Sequence, residues 1–386
     1  MRYRPTKNVF LLALTSFFND LSSEMVLSVF PAFFVSVLKT GAGSLGFVEG
    51  FADGVSNIVK IYGGRLSDSA RKRKPFIVVG YSLSVLTRPF YILVSSVAGV
   101  AGLRFTDRIG KGIRDGPRDA VVSLSTPREQ LGRAFGYHRM WDTFGAIAGP
   151  LIAYLILSRY PSGFNIVFST AFVMGIAAII TLFFVKEIAD GVKKNNITLA
   201  SLAVFPKSFR WFLFALFFLS LGSLPVAVLL LKTQNLGLTL ASIPLFYTLY
   251  NLSFASFSFA GGKASDRIGP KTVIIIGYLI LLASYIFLAF AESPVFLAAG
   301  FLVLGLFPAM TDGVLRALAS GLSSAEHRGG ALGLVNAVAG IGLLCAGVGG
   351  GFVWERFGVS YAFALAGIFV LVGVSILFMV KKEKIA

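Results

Sequence analysis

The sequence predicts an all-α membrane protein whose twelve transmembrane helices form two pseudo-symmetric six-helix bundles. Three observations predict it: the composition, twelve long apolar stretches, and the unequal sharing of basic residues among the loops. Of the 386 residues, 56% are hydrophobic and 14% are charged, against about 25% charged in a soluble domain. This composition excludes a disordered chain and a soluble globular domain.

The apolar stretches are each about 20 residues or longer, the length that crosses a bilayer as a helix. The apolar/polar alternation of a transmembrane β-barrel is absent from them. The loops that remain are short and leave no room for a sizeable soluble domain. The predicted spans cover residues 9–38, 43–66, 76–96, 97–122, 131–157, 164–185, 209–232, 240–262, 272–291, 294–320, 329–352 and 359–380.

The formal net charge is +17, and the excess base falls in alternate loops. One set of loops and termini holds 22 Lys and Arg, whereas the other holds the four residues Lys39, Arg159, Lys232 and Arg356. Basic loops stay in the cytoplasm, so the bias predicts a plasma-membrane protein with both termini inside. No solvated basic domain exists to bind nucleic acid.

The first span begins near the N-terminus and could be mistaken for a signal peptide. Asn19, Asp20 and Glu24 interrupt its apolar run, and no small-residue cleavage site follows. We therefore expect an uncleaved first helix.

One long polar segment, residues 186–208, divides the chain. It predicts an N-terminal bundle of residues 1–185, a central cytoplasmic loop of residues 186–208, and a C-terminal bundle of residues 209–386. Two such bundles with a cavity at the membrane midplane are the expected arrangement.

The two halves also repeat each other. Gly64 and Asp68 follow the second span, and Gly262 and Asp266 follow the eighth, an offset of 198 residues. Gly136 in the fifth span matches Gly333 in the eleventh at an offset of 197 residues. The repeat predicts one helical scaffold used twice.

With these features the chain resembles the major facilitator superfamily over essentially its whole length. The loop pattern of that family is Gly-x-x-x-Asp-Arg/Lys-x-Gly-Arg/Lys. The second copy fits it closely, whereas the first has Ser69 and Arg71 where the family has a basic residue and glycine. The resemblance implies that both loops latch the cytoplasmic side; a tight turn with positive-inside charge is the simpler alternative. The gating residues so implied are Gly64, Asp68, Arg71, Gly262, Asp266, Arg267 and Gly269.

Charged residues lie within the spans of the first half. Fourteen such charges facing lipid, at about 2.5–3.5 kcal/mol each, would cost roughly 35–50 kcal/mol, far above a stability of about 5–15 kcal/mol. Most must therefore pair or face water, and their equal numbers favour a paired network. They are the acids Asp20, Glu24, Glu49, Asp53, Asp107, Asp115 and Asp142 and the bases Lys60, Arg88, Arg104, Arg108, Lys111, Arg114 and Arg139.

A carboxylate held away from water can bind and release a proton during a transport cycle. The candidates are Asp20, Glu24, Glu49 and Asp53, since the first helix of the family lines its cavity. Bracing of neighbouring helices is the alternative role. The predicted substrate and proton pathway consists of Asn19, Asp20, Glu24, Glu49, Asp53, Arg88, Arg104, Asp107, Arg108, Lys111, His138, Asp142 and Asp312, with Arg108 and Lys111 able to pair with the acids or bind an anion.

Two motifs refine the resemblance. Arg104-x-x-Asp107-Arg108 resembles the family's fourth-helix pattern Arg-x-x-Gln-Gly, with charges at both later positions, and makes Arg104 a candidate proton relay. Gly145-x-x-x-Gly149-Pro150 resembles a motif typical of proton-coupled exporters. Small residues four apart also allow plain helix packing, and proline permits a kink.

We therefore expect a secondary transporter that works by alternating access, is proton-coupled and favours efflux by antiport. Proton symport of an organic anion or zwitterion is the alternative, and a lipid-handling or non-transporting receptor is an alternative of another class. No ATP-binding motif is present. With one cysteine and two histidines we expect no cofactor or metal. His138 and Asp142 share a helical face, but no nucleophile is recognisable nearby, so we expect no enzyme. The expected partners are a small solute, protons and lipid, and we expect no nucleic-acid partner. We expect the protein to be a monomer.

Overall fold

The computed structural model describes residues 4–70, 72–127, 130–188, 204–324 and 327–380. Within these ranges the chain forms thirteen α-helices and no β-strand, which confirms the all-α prediction. The helices are α1 Lys7–Ser36, α2 Ala42–Ala70, α3 Lys74–Phe90, α4 Val97–Leu124, α5 Leu131–Arg159, α6 Phe164–Phe183, α7 Lys207–Leu221, α8 Val226–Leu230, α9 Ile243–Ile268, α10 Pro270–Ala289, α11 Pro294–Gly321, α12 Arg328–Phe357 and α13 Val359–Phe378; Leu231–Leu236 and Leu240–Ser242 are 3-10 helices.

The seventh predicted span is not one continuous helix. It is interrupted between α7 and α8, because Pro225 has no N–H to donate and its ring disfavours a helical residue before it. The hydroxyl of Tyr285 stabilises the break by donating to the Gly222 carbonyl at 2.8 Å and accepting from the Leu224 N–H at 3.0 Å. The prediction of a single helix over residues 209–232 is wrong in this respect.

Eight segments of the described chain are long and apolar enough to cross a membrane. Seven are α1, α5, α6, α10, α11, α12 and α13, and the eighth is Lys207–Gln234, which contains α7 and α8. The other long helices are α2, α4 and α9, whose sequences carry more polar side chains, and the 17-residue α3.

The chain divides into two compact units. The first unit contains Met1–Leu38, Val55–Asn195 and Leu240–Thr248, and the second contains Lys39–Gly54, Asn196–Thr239 and Leu249–Ala386. The predicted bundle boundaries at residues 185 and 209 stay a prediction.

The internal repeat extends to details of each unit. Helices α4 and α11 begin and end 197 residues apart, and a serine caps each, Ser96 and Ser293. Lys74 donates to the Phe183 carbonyl at the end of α6, and Lys271, again 197 residues on, donates to the Phe378 carbonyl at the end of α13. Each lysine thereby satisfies a carbonyl without an intrahelical partner.

Two pairs of consecutive helices are joined through a single residue. Gly269 lies between α9 and α10 with φ = 89°, and Gly358 lies between α12 and α13 with φ = 99°. This left-handed backbone region favours glycine because it lacks a Cβ atom. The chain therefore reverses here without a loop.

Candidate functional site

The deepest charges of the first unit converge on Asp107. One oxygen of its carboxylate accepts from Arg88 on α3 at 3.2 Å, and the other accepts from Arg104, one turn earlier on α4, at 3.1 Å. Arg88 is 0% exposed, Arg104 1% and Asp107 3%. In this cluster, three of the predicted charges pair with each other within the first unit.

Uncharged groups complete the surroundings of this cluster. The Nε of Arg88 donates to the Ser22 hydroxyl of α1 at 3.4 Å, and the guanidinium of Arg104 lies over the Phe30 ring. Ser84 donates to the Asp107 backbone carbonyl at 3.0 Å and accepts from Arg114 at 2.6 Å. Three helices, α1, α3 and α4, are thus tied together by polar contacts, as buried polar groups require.

A second ion cluster lies further along α4. Asp115 is 3.6 Å from the Lys60 ammonium of α2 and 4.0 Å from Arg118. Arg118 also donates two bonds to Asp119, at 3.0 and 2.9 Å. Both acids of this cluster therefore have basic partners.

Asp20 and Glu24 on α1 differ from these acids. Both are half-buried, and neither lies within 4 Å of a lysine, arginine or histidine nitrogen among the residues that the structure describes. Asn19 donates to Asp20 at 3.1 Å, and the Tyr247 hydroxyl donates to Glu24 at 2.5 Å. Lys111, in the middle of α4, is likewise half-buried and makes no ion pair with the described acids. These groups can change their protonation or take a ligand without breaking a salt bridge.

The glycine motif of α5 lies directly behind the two acids. A Cβ atom on Gly145 would be 2.5 Å from the Phe17 carbonyl, and one on Gly149 would be 2.5 Å from the Leu21 carbonyl. The same positions lie 3.2 Å from the Cβ of Asp20 and 3.3 Å from that of Glu24. The backbones of α1 and α5 therefore touch along this face. Pro150, the residue after Gly149 in α5, is buried.

His138 on α5 joins a separate hydrogen-bonded chain. Its Nδ1 lies 3.4 Å from an Asp142 carboxylate oxygen, and its Nε2 lies 3.0 Å from the hydroxyl of Ser16 on α1. That hydroxyl lies 3.2 Å from the Tyr81 hydroxyl of α3. All four side chains are at least nine-tenths buried.

The other predicted pathway residues lie elsewhere. Glu49 is buried and Asp53 half-buried, and both belong to the second unit. The first unit therefore holds five of the seven predicted acids beside all seven bases, so their numbers do not balance within it. Arg108 is buried on α4, and Asp312 is exposed on α11.

The gating residues fall at the ends of two helices. Gly64 and Asp68 lie in the last turns of α2, but the side chain of Asp68 and the whole of Arg71 lie outside the described part of the chain. Gly262, Asp266 and Arg267 are exposed in the last turns of α9, and Gly269 is the joint to α10. Their latch role stays a prediction.

The sequence analysis named Asn19 as a pathway residue but missed the serine hydroxyls Ser16 and Ser22 beside it. Ser16, Asn19 and Ser22 recur every third residue of α1 and are all buried. That spacing places them on one helical face, and the stripe could have indicated partners for the buried charges. Tyr81 and Tyr247 carried no such signal.

The comparisons with known proteins agree with this architecture. A family model, described as Major Facilitator Superfamily, matches residues 12–231 and 210–385. A protein of Methanocaldococcus jannaschii described as an uncharacterized MFS-type transporter is 36% identical over 357 residues, covering 91% of this chain and 89% of that protein. A multidrug resistance efflux pump PmrA homolog of Lactococcus lactis is 24% identical, covering 75% and 73%.

Among solved structures, a mutant of the nucleoside transporter NupG is similar with a TM-score of 0.81. It is 15% identical, and the alignment covers 96% of this chain and 98% of that one. This likeness shows the fold alone. The family match and the archaeal relative show more: the chain belongs to the Major Facilitator Superfamily, as a multi-pass membrane transporter of small molecules and not an enzyme.

Proposed function

We propose that the chain is a proton-coupled antiporter of the plasma membrane that exports a small solute, with Asp20 and Glu24 as the coupling carboxylates. The observation that carries the proposal is the contrast among the acids of the first unit. Asp107 and Asp115 have arginine or lysine partners, whereas Asp20 and Glu24 have none within ion-pair distance in the described chain. Only an acid without a fixed cation can take up a proton at small cost.

Because Glu24 accepts a hydrogen bond from Tyr247, proton binding to Glu24 would change a contact of α1. The hydrogen bond of a hydroxyl to an ionised carboxylate is stronger than the same bond to a neutral acid. Proton binding to Glu24 would therefore weaken its hold on Tyr247, which belongs to the short segment Leu240–Thr248. This links proton uptake to release of that segment from α1.

Two further observations support export. The relatives described as multidrug resistance or efflux proteins include the Lactococcus lactis homolog and MdtG of Serratia proteamaculans at 23% identity. The Gly145 and Gly149 motif, typical of exporters in this family, packs α5 directly behind Asp20 and Glu24.

Proton symport of an organic anion is the second candidate. It is favoured by Lys111, which makes no ion pair with the described acids. A substrate carboxylate could neutralise that ammonium.

The test begins with a thermal-shift screen of purified protein against drugs and organic anions, because a ligand stabilises the folded state by mass action. The best compound is then followed in liposomes with an imposed pH gradient. We expect outward-directed transport driven by an opposing proton gradient, and a loss of at least tenfold in Glu24→Gln and Asp20→Asn. Asp119→Asn, which changes a paired acid on α4, is the matched control and should retain transport.

Two other results would contradict the proposal. Transport unaffected by collapse of the pH gradient contradicts proton coupling. Accumulation of an anion along an inward proton gradient favours symport.

A further inference from the structure

A buried chain of protonatable groups crosses four helices of the first unit without being part of the proposed coupling pair. It runs from Asp142 through His138 and Ser16 to Tyr81, and the guanidinium of Arg118 on α4 lies 3.5 Å from the Ser16 hydroxyl. His138 is seven residues from the start of α5 and Tyr81 seven from the start of α3, about 10 Å along each helix axis. Asp20 and Glu24 lie deeper, 13 and 17 residues from the start of α1.

The hydrogen bonds of this chain have two consistent directions. With a neutral imidazole protonated at Nδ1, Tyr81 donates to Ser16, Ser16 donates to Nε2 of His138, and Nδ1 donates to Asp142. With an imidazolium, Nε2 donates to Ser16, and the Ser16 hydroxyl must turn to donate to Tyr81. One proton added to His138 therefore reverses the direction of the hydrogen bonds that join His138, Ser16 and Tyr81.

We infer that His138 is a second proton-binding group of the transporter, that Ser16 and Tyr81 relay its proton, and that it is coupled to Asp20 through their shared neighbour Asp142. The inference rests on the proposed function, because it assigns the proton path of that same site. A hydronium protonates the Tyr81 oxygen, Tyr81 passes its own proton to Ser16, and Ser16 passes its own proton to Nε2 of His138. Each hydroxyl breaks one O–H bond as it forms another, the imidazole gains one positive charge, and the reverse steps return the proton to water.

Asp142 can couple the two groups because it adjoins both. It lies 3.4 Å from His138, and Gly145, one turn further along α5, packs against Asp20, since a Cβ atom on that glycine would be 3.2 Å from the Asp20 Cβ. A proton on the imidazole neutralises the field of Asp142 and so favours an ionised Asp20, whereas a neutral imidazole leaves two carboxylates repelling each other. The titratable and charged groups that face this chain are Asp142 and Arg139 from α5, Asp20 from α1, Tyr81 from α3 and Arg114 and Arg118 from α4.

The composition makes the titration of His138 directly observable. The chain has two histidines, His138 and His327, so His327→Gln leaves one imidazole for ¹⁵N NMR of histidine-labelled protein in nanodiscs. We expect the ring ¹⁵N signals to report a gain of one proton when the pH is lowered, and this change to differ between the wild type and Asp20→Asn. An imidazole that keeps one charge state at every pH at which the protein stays folded, or the same behaviour in Asp20→Asn, overturns the inference.

Transport tests the relay separately, in variants whose thermal unfolding matches that of the wild type. Ser16→Ala and Tyr81→Phe remove a hydroxyl, and we expect the pH profile of transport to shift by at least half a pH unit. Ser16→Thr keeps the hydroxyl and should restore the profile, which a purely structural role would not require. An unchanged profile in Ser16→Ala and Tyr81→Phe contradicts the relay.

The two proposals can fail independently. Wild-type transport without pH dependence removes the proposed function even if His138 titrates. A pH-driven wild type with an inert His138 removes only this inference.

Discussion

At the scale of single residues, Asp107 compensates two buried arginines at once. Arg88 and Arg104 lie on different helices and are almost fully buried. Removing one member of a buried ion cluster costs more than the cluster contributes, because the remaining charges lose their counter-charge in a medium of low polarity. The stability of α3 on α4 therefore depends on one carboxylate.

We expect Asp107→Asn to lower the free energy of unfolding by about 3–5 kcal/mol. Unfolding of the purified protein in detergent, by heat or denaturant, measures this loss. Asp119→Asn is the control, since that side chain is 50% exposed and an exposed pair contributes about 0–1 kcal/mol. Equal effects of the two substitutions would contradict the compensating role of Asp107.

At the scale of helices, the contact of α1 with α5 is made by backbone. Gly145 and Gly149 have no room for a Cβ atom, whereas Gly136 on the same helix has open space around it. Close approach of this kind fixes where Asp20 and Glu24 lie relative to α5.

Alanine substitutions along α5 should therefore have opposite signs. Gly149→Ala forces a shift of the α1 backbone and should destabilise the protein by about 1–3 kcal/mol. Gly136→Ala meets no neighbour and should stabilise it by up to about 1 kcal/mol, because alanine favours a helix over glycine. Thermal unfolding of the two variants side by side tests the assignment, and a stabilised Gly149→Ala would refute it.

At the scale of the whole molecule, orientation follows from the basic loops alone. The loops that hold Lys39, Arg159, Lys232 and Arg356 are predicted to lie outside the cell. The chain has one cysteine, Cys345, so a Cys345→Ser background accepts single cysteines at chosen loops.

Labelling of intact cells with a membrane-impermeant maleimide tests this orientation. We expect Arg159→Cys, at the end of α5, to react from outside, and Arg267→Cys, at the end of α9, to react only after permeabilisation. Both positions are exposed, so access to the reagent depends on the side of the membrane. The reverse pattern would invert the topology.

The sequence predicts most of this fold because long apolar helices and their loops have strong local signals. The sequence analysis did not predict the interruption after α7, since its stabilising contact comes from Tyr285, far downstream of Pro225 in the chain. The candidate site was found where its members are charged, as at Arg88 and Asp107. It was missed where hydroxyls complete it, since Ser16 or Tyr81 in an apolar helix looks no different from a packing residue.

The sequence also could not predict which acids belong to which of the two units. Glu49 and Asp53 repeat at helical spacing, as Asp20 and Glu24 do, and nothing local separates the two pairs. Only the tertiary structure places Glu49 and Asp53 in the second unit and leaves the first with a surplus of bases.

The one-residue joints at Gly269 and Gly358 constrain how the second unit can deform. A joint of one residue can rotate but cannot lengthen. If α9 tilts, the end of α10 that is attached to it must move with it, whereas sliding one helix along the other would unwind a helical turn at the joint. Within the pairs α9–α10 and α12–α13, we therefore expect the two helices to move relative to each other by rotation about the joint and not by sliding.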